Sequence, residues 1–110
     1  MEAMFSEMGG ALVVVTRGHL DTSNAPGVEK EVMARIDDGA NRIVFDFQRT
    51  EYVSSAGLRV ILKAAKAAKK GGGSLAICQA NDHILEVLEL SGFLSAINHT
   101  ATLDDALKAV

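Results

Sequence analysis

Short apolar runs alternate along the chain with longer segments in which apolar residues recur at helical spacing. Residues 4–8 and 11–16 flank a Gly-Gly pair at 9–10, and this pattern predicts an antiparallel hairpin. The second run is unbroken in its apolar character, as in strands that are covered on both faces or lie in the middle of a sheet. We expect this strand to end at an Arg-Gly pair, residues 17–18.

Predicted helices and strands alternate beyond the hairpin. The pattern predicts a helix over 26–38, a strand over 42–47, a polar turn over 48–51, a helix over 55–70 and a strand over 74–78. The next predicted helix is capped by Asn81-Asp82 and ends at Gly92, and a strand follows near 96–98. A last helix begins at the capping box formed by Thr102 and Asp105. The order ββαβαβαβα predicts an α/β fold in which helices are interleaved with a mixed, mostly parallel sheet. Because no linker or repeat interrupts residues 1–110, we expect one domain.

The composition is that of a folded globular domain, with 48% hydrophobic and 23% charged residues. A formal net charge of -3 disfavours a nucleic-acid binder that depends on neutralising phosphates. The longest aliphatic run, residues 11–15, is much shorter than the ~20 residues of a membrane-spanning helix. No basic segment followed by an apolar one opens the chain, so we expect a cytoplasmic protein without membrane insertion. The single cysteine, Cys78, lies in an apolar run and is expected to be buried.

The sequence gives little support for catalysis. His19, His83 and His99 share no metal-ligand spacing with one another or with Cys78, and no G-x-S-x-G elbow is present. The three glycines at 71–73 follow a predicted helix and precede a strand, the reverse of a phosphate-binding loop. We therefore expect no catalytic residues, no metal and no cofactor, with a small nucleotide-binding or enzymatic domain as one alternative.

Two serines stand where the strongest predicted helix begins. Ser54 or Ser55 as N-cap would satisfy a free backbone N–H and stabilise the helix by about 1 kcal/mol, and Gly57 would then only allow close packing. A serine at the same place is also suited to carry a phosphoryl group, because a helix N-terminus favours negative charge. Both interpretations are open on the residues alone.

Four ordered motifs are spread over nearly the whole chain. They are Gly18-His19-Leu20-Asp21 followed by Ala25-Pro26, then Ile43-Val44-Phe45-Asp46-Phe47, then Tyr52 to Leu58 followed by Arg59-Val60-Ile61-Leu62, and finally Leu88-Glu89-Leu90-Ser91-Gly92-Phe93. Together they resemble STAS domains, specifically the single-domain bacterial anti-sigma factor antagonists. In that family the motifs form the turn before the first helix, the strand that leads to the switch loop, the signature serine turn and a late L-x-x-S/T-G-L/F segment.

The resemblance implies a phosphorylation switch. In the family, an anti-sigma factor that is also a serine/threonine kinase phosphorylates the serine before a small-Gly-Leu step, and a PP2C-type phosphatase reverses this. On this chain the acceptor corresponds to Ser55, with Ser54 as the second choice. A familiar form of the motif, Asp-Ser-Ser-Gly-Leu, differs at two positions, since Ser54 stands at the Asp and Ala56 at the second Ser. The unphosphorylated protein would bind the anti-sigma factor and release a sigma factor.

The partner-binding residues that the resemblance implies lie around the same turn. They are Asp21, Asp46, Ser54, Ala56, Gly57, Arg59 and Lys63. Asp21 and Asp46 are equally explained as loop-capping carboxylates. By spacing, Arg59 and Lys63 continue with Lys66 and Lys70 as a basic stripe, which is either a solvated face or a docking surface for an acidic partner. The main alternative function is a STAS module that is never phosphorylated, as a scaffold of a stress-signalling assembly or a subunit of a lipid transporter.

Overall fold

The computed structural model describes residues 3–93 and 97–110, which contain five strands and four α-helices. In chain order these are β1 (Ala3–Met8), β2 (Ala11–Leu20), α1 (Ala25–Asp37), β3 (Arg42–Val53), α2 (Ser55–Lys70), β4 (Ser74–Cys78), α3 (Asp82–Leu90), β5 (Asn98–Thr100) and α4 (Leu103–Ala109). The predicted order of elements is confirmed.

The strands form a single sheet in the order β1-β2-β3-β4-β5. β1 pairs antiparallel with β2, and the other neighbours pair in parallel, as predicted from the opening hairpin and the helical crossovers. Val14, Phe45 and Ile77 stand side by side across the three central strands. The unbroken apolar character of these strands follows from their coverage on both faces.

Helices cover both faces of the sheet. On one face α1, α2 and α3 bury the larger part of the core, including Phe45, Ile61 and Leu88. On the other face α4 packs over a smaller cluster that contains Val44 and Cys78. Cys78 is completely buried, as its apolar surroundings in the sequence predict.

Two neighbouring strands run further than the sequence predicts. β2 continues to Leu20 instead of ending at residues 17–18, and β3 continues to Val53 through the predicted turn at 48–51. Both predicted strand ends are wrong, because β2 and β3 go on pairing with each other after β4 has ended at Cys78. Two irregularities in the register accompany this pairing.

We call residues 17–20 of β2 and 49–53 of β3 the strand extension. Gly18 has a φ of +71° beside the second irregularity, a conformation that favours glycine. The buried hydroxyl of Thr50 donates to the Thr16 carbonyl at 2.8 Å, which satisfies two polar groups inside the fold. The extension carries the chain directly to the start of α2.

Most predicted helix ends agree with the structure to within one or two residues. α2 begins at Ser55 and ends at Lys70 as predicted, and the side chains of Asn81 and Thr102 cap α3 and α4. The last strand is displaced from the predicted 96–98 to Asn98–Thr100. Residue 96 lies outside the described residues.

Arg42, at the start of β3, connects three parts of the chain. Its guanidinium donates to the carbonyls of Gly9 at 2.7 Å, Leu107 at 3.1 Å and Val110 at 2.8 Å. One side chain therefore joins the turn of the hairpin, the sheet and the end of α4.

Candidate functional site

Ser54 and Ser55 have different roles at the start of α2. Ser54 is the N-cap, with extended backbone, and its Oγ accepts a hydrogen bond from the Gly57 N–H at 3.3 Å. Its own N–H donates to the Leu20 carbonyl at 2.9 Å, which ties the helix start to the end of β2. Ser55 is the first helical residue, is exposed, and makes no side-chain hydrogen bond to any described residue. The capping interpretation thus holds for Ser54, while the Ser55 hydroxyl is free.

Gly57 lets the first turn of α2 lie directly against the sheet. A Cβ atom at this position would stand 2.6 Å from the Leu20 carbonyl oxygen and 3.0 Å from Cγ1 of Val53. Cβ atoms essentially never stand less than 3.0 Å from another heavy atom, so the approach to the carbonyl oxygen requires a shift and only glycine fits without rearrangement. Close packing at Gly57 and the Ser54 cap together fix where the two serines stand.

Asp21 stabilises the turn between β2 and α1. Its carboxylate accepts hydrogen bonds from the hydroxyl of Ser23 at 2.6 Å and from the Ser23 N–H at 3.0 Å. These bonds lower the pKa of Asp21 below its usual value. The Asn24 side chain braces the same turn by accepting from the Asp21 N–H and donating to the His19 carbonyl. Asp21 follows Leu20 directly, so this turn lies beside the serine turn.

Asp46 lies in the sheet, away from the exposed surface around Ser55. It is only 6% exposed, and its carboxylate accepts from the Gln48 N–H at 3.0 Å and from the Gln79 side chain at 3.3 Å. Asp46 also pairs with Cys78 on the neighbouring strand. Burial, together with the nearby Asp46 carboxylate, raises the pKa of the Cys78 thiol to about 12. Direct contact of Asp46 with a partner stays a prediction.

Arg59 and Lys63 project from the exposed side of α2, but only one of them is paired. Lys63 Nζ lies 3.0 Å from Oε2 of Glu29 on α1. Arg59 forms no hydrogen bond or ion pair with any residue in 3–93 or 97–110. It lines an open groove of about 360 Å³ between α1 and α2, together with Pro26 and the half-buried Ala56.

A row of three rings next to this turn was not predicted. Tyr52, on the strand extension, is 42% exposed and stacks on the His83 ring at 6.1 Å between centroids. The His19 ring approaches Tyr52 edge-on at 5.9 Å. Because the sequence predicts a turn over 48–51 instead of a longer strand, nothing in it places Tyr52 opposite His19.

The structure brings most of the predicted site residues to one end of the sheet. Ser54, Ser55, Ala56, Gly57 and Asp21 lie together there, with Arg59 one helical turn away. Within residues 3–93 and 97–110, no group of three or more His, Cys, Asp or Glu side chains could hold a metal ion. No helix in the same part of the chain is long and apolar enough to cross a membrane.

The fold and the site define a mixed α/β domain whose second helix begins with an exposed, unengaged serine. The family model of the STAS domain matches residues 2–106, and the chain therefore belongs to the STAS domain family. The fold that the motifs imply is thereby confirmed.

Two relatives carry names that describe a function. The chain is 40% identical over 95 residues to BtrV of Bordetella bronchiseptica, a candidate anti-sigma factor antagonist, with 86% of this chain and 82% of BtrV covered. It is 30% identical over 84 residues to the anti-sigma F factor antagonist of Paenibacillus polymyxa, with 76% and 72% covered.

Solved structures agree with this assignment of the fold. A candidate anti-sigma factor antagonist from Thermotoga maritima superposes with a TM-score of 0.92 at 22% identity, over 98% of this chain and 93% of the other. SpoIIAA of Bacillus in its phosphorylated form superposes with a TM-score of 0.78 at 17% identity, over 97% of each chain.

Proposed function

We propose that residues 1–110 form one non-catalytic STAS domain that acts as an anti-sigma factor antagonist and is switched off by phosphorylation of Ser55. The relatives named above support antagonism of an anti-sigma factor. The observation that carries the switch is the free, exposed hydroxyl of Ser55 on a helix start that is held in place by Ser54 and Gly57.

Ser55 is a better acceptor than Ser54 for a structural reason. The Ser54 oxygen already accepts from the Gly57 N–H, and the residue is only partly exposed. A phosphoryl group on Ser54 would replace the cap of α2, whereas one on Ser55 would leave the cap in place. Modification of Ser55 therefore changes the surface without changing the fold.

The switch works through charge. A phosphoryl group adds about −1.5 to −2 charges at neutral pH, on the surface that we propose contacts the anti-sigma factor. A loss of about 1.4 kcal/mol weakens binding tenfold, which one unfavourable charge at an interface is able to produce. We propose that Asp21, Ala56, Arg59 and Lys63 belong to this surface and that the buried Gly57 positions it. The anti-sigma factor kinase would add the group and a PP2C-type phosphatase would remove it.

Phosphopeptide mapping of the protein from its native cells tests the modification. The protein is purified under phosphatase inhibition from growing and from stressed cells, and the segment 51–63 is analysed by mass spectrometry. We expect a phosphoryl group on Ser55 whose occupancy changes with the condition. Its absence in all conditions would refute the switch and leave a STAS scaffold that phosphorylation does not control.

Binding to the anti-sigma factor kinase recovered from the same cells tests the consequence. Ser55→Ala is expected to bind like the wild type, and Ser55→Asp at least about tenfold more weakly. Ser6→Asp is the matched control, because it adds the same charge at an exposed position of β1, an edge strand of the sheet. Equal binding by Ser55→Ala and Ser55→Asp would show that charge at Ser55 does not control the contact.

A further inference from the structure

We propose that Arg59 is the intramolecular charge partner of the phosphoryl group on Ser55, so that modification also withdraws this guanidinium from the partner-facing surface. The inference rests on the proposed function, because that function supplies the phosphoryl group. It assigns to Arg59 a second state, in which the side chain is paired within α2.

Helix geometry places the two residues together. Ser55 is the first residue of α2, and Arg59 follows four positions later, one turn along the same side. Cβ atoms at this spacing lie about 5–6 Å apart. Side chains in a helix lean toward its N-terminus, so the Arg59 side chain, which lines the groove beside Ala56, is within reach of the turn that holds Ser55. Both residues are exposed, and a phosphoryl group on Ser55 has room on this side of the helix.

Arg59 is the cation of the stripe that lies nearest to Ser55, and it is free to respond. The next one, Lys63, is held by Glu29 of α1 at 3.0 Å. Arg59 has no hydrogen-bond or ion-pair partner in the described part of the chain, and the first turn of α2 contains no acidic side chain that competes for it. The first turn of α2 thus has an unpaired positive charge and no acidic side chain of its own before modification. The two carboxylates nearby, Asp21 and Glu29, already bind Ser23 and Lys63.

The chemistry of the guanidinium fits a phosphoryl group better than a lysine would. Its planar fork donates two parallel hydrogen bonds to two phosphoryl oxygens, whereas an ammonium acts as a point charge. Pairing would change the surface twice, because negative charge is added at Ser55 and the positive charge of Arg59 is neutralised. An acidic partner would lose an attraction as well as gain a repulsion.

Phosphorus NMR of protein with phosphoserine incorporated at position 55 during translation tests the pairing without any kinase. The second pKa of the phosphoryl group, normally about 6, is measured by titration. In the wild type we expect this pKa to be lower than in Arg59→Gln by about 0.2 to 0.4, the size expected of an exposed i, i+4 ion pair. Lys66→Gln is the matched control, and the pKa of the phosphoryl group is expected to stay within about 0.1 of the wild type because Lys66 is exposed, unpaired among the described residues and three turns away. Equal pKa values in all three proteins would overturn the inference.

A second measurement uses the wild-type chain alone and does not depend on the folding of a variant. The Nε–H signal of Arg59 is compared between proteins with serine and with phosphoserine at position 55. A shift that decreases as the phosphoryl dianion takes up a proton near its second pKa supports the pairing, and a signal that is the same with serine and phosphoserine refutes it. Since no kinase is involved, a failed pairing leaves the proposed function intact. Absence of the modification in cells would refute that function and leave the pairing measurable.

Discussion

Replacement of Gly57 by alanine probes the contact that positions the serine turn. The added Cβ would stand 2.6 Å from the Leu20 carbonyl oxygen, 2.9 Å from Cγ of Leu20 and 3.0 Å from Cγ1 of Val53. The nearest atom belongs to the backbone of a central strand, so a side-chain rotation cannot relieve the overlap. α2 has to move away from β2, and the hydrogen bond from the Ser54 N–H to the same carbonyl is strained.

The expected loss of stability follows from two opposing terms. Overpacking of this kind costs about 1–3 kcal/mol. Alanine gains up to about 1 kcal/mol over glycine in a helix, which offsets part of that cost. The net effect is a destabilisation of up to about 2 kcal/mol, which for a domain of this size corresponds to a fall in Tm of up to about 10 °C.

Thermal unfolding of Gly57→Ala beside Gly71→Ala measures this effect. Gly71 caps the other end of α2, and a Cβ there would meet its nearest atoms at ordinary distances of 3.6–3.7 Å. We therefore expect Gly71→Ala to melt close to the wild type. Hydrogen exchange of the Ser54 amide should also become faster in Gly57→Ala. If Gly57→Ala melts at or above the wild-type temperature, the close approach does not limit the packing of α2.

Three further predictions concern other parts of the chain. Ser54→Ala removes the cap of α2 and is expected to lower the free energy of unfolding by about 1 kcal/mol, whereas Ser55→Ala is expected to change it by less than about 0.5 kcal/mol. Equal losses in thermal melts would contradict the assignment of the cap. Arg42→Met removes three hydrogen bonds and is expected to lower the free energy of unfolding by about 1–3 kcal/mol. Hydrogen exchange of the α4 amides should become faster, and unchanged exchange would show that the guanidinium does not hold this helix. Burial lowers the pKa of His99, so protons bind preferentially to the unfolded chain, and stability is expected to decrease as the pH falls below the ordinary value of 6.5. His99→Gln should flatten this part of the profile of Tm against pH, and an unchanged slope would assign the effect to other groups.

The helices and central strands could be predicted because their periodicity is dictated by burial. α2 has its apolar residues on one side, a serine before its first turn and glycines after its last, and both of its ends were predicted. β4 is a short apolar run between turn residues, and it too was predicted at Ser74–Cys78.

The strand extension could not be predicted because its sequence is polar. It lies beyond the end of β4, so Arg49 and Glu51 are exposed and the alternation of a buried strand is missing. The extension is stabilised by the pairing of its β2 and β3 segments with each other and by a hydrogen bond from the Asn81 side chain to the Glu51 carbonyl at 3.1 Å. These contacts join parts of the chain that are distant in sequence, so local strand propensity does not predict them.

The candidate site was predicted only in part, because some of its features are local in sequence and others depend on contacts between distant parts of the chain. The serine turn and Gly57 are local features of one helix start, so their motif and capping chemistry identify them. The distinct roles of Ser54 and Ser55 depend on which oxygen accepts from the Gly57 N–H, and only the structure decides this. The ring pair of Tyr52 and His83 depends on the strand extension and could not be anticipated.

The helical state of Ser55 has a consequence for any enzyme that modifies it. Many enzymes that modify side chains bind their substrates as extended segments, but here the backbone at Ser55 is already wound into α2 and anchored to a central strand. An enzyme that acts on this hydroxyl has to recognise the surface of the folded domain, since unwinding the first turn would break its cap and its close packing. A short peptide with the sequence of residues 51–63 would then be a poor substrate. The selectivity of the enzyme for Ser55 would then depend on the shape of the folded domain and not on the amino-acid sequence around the serine.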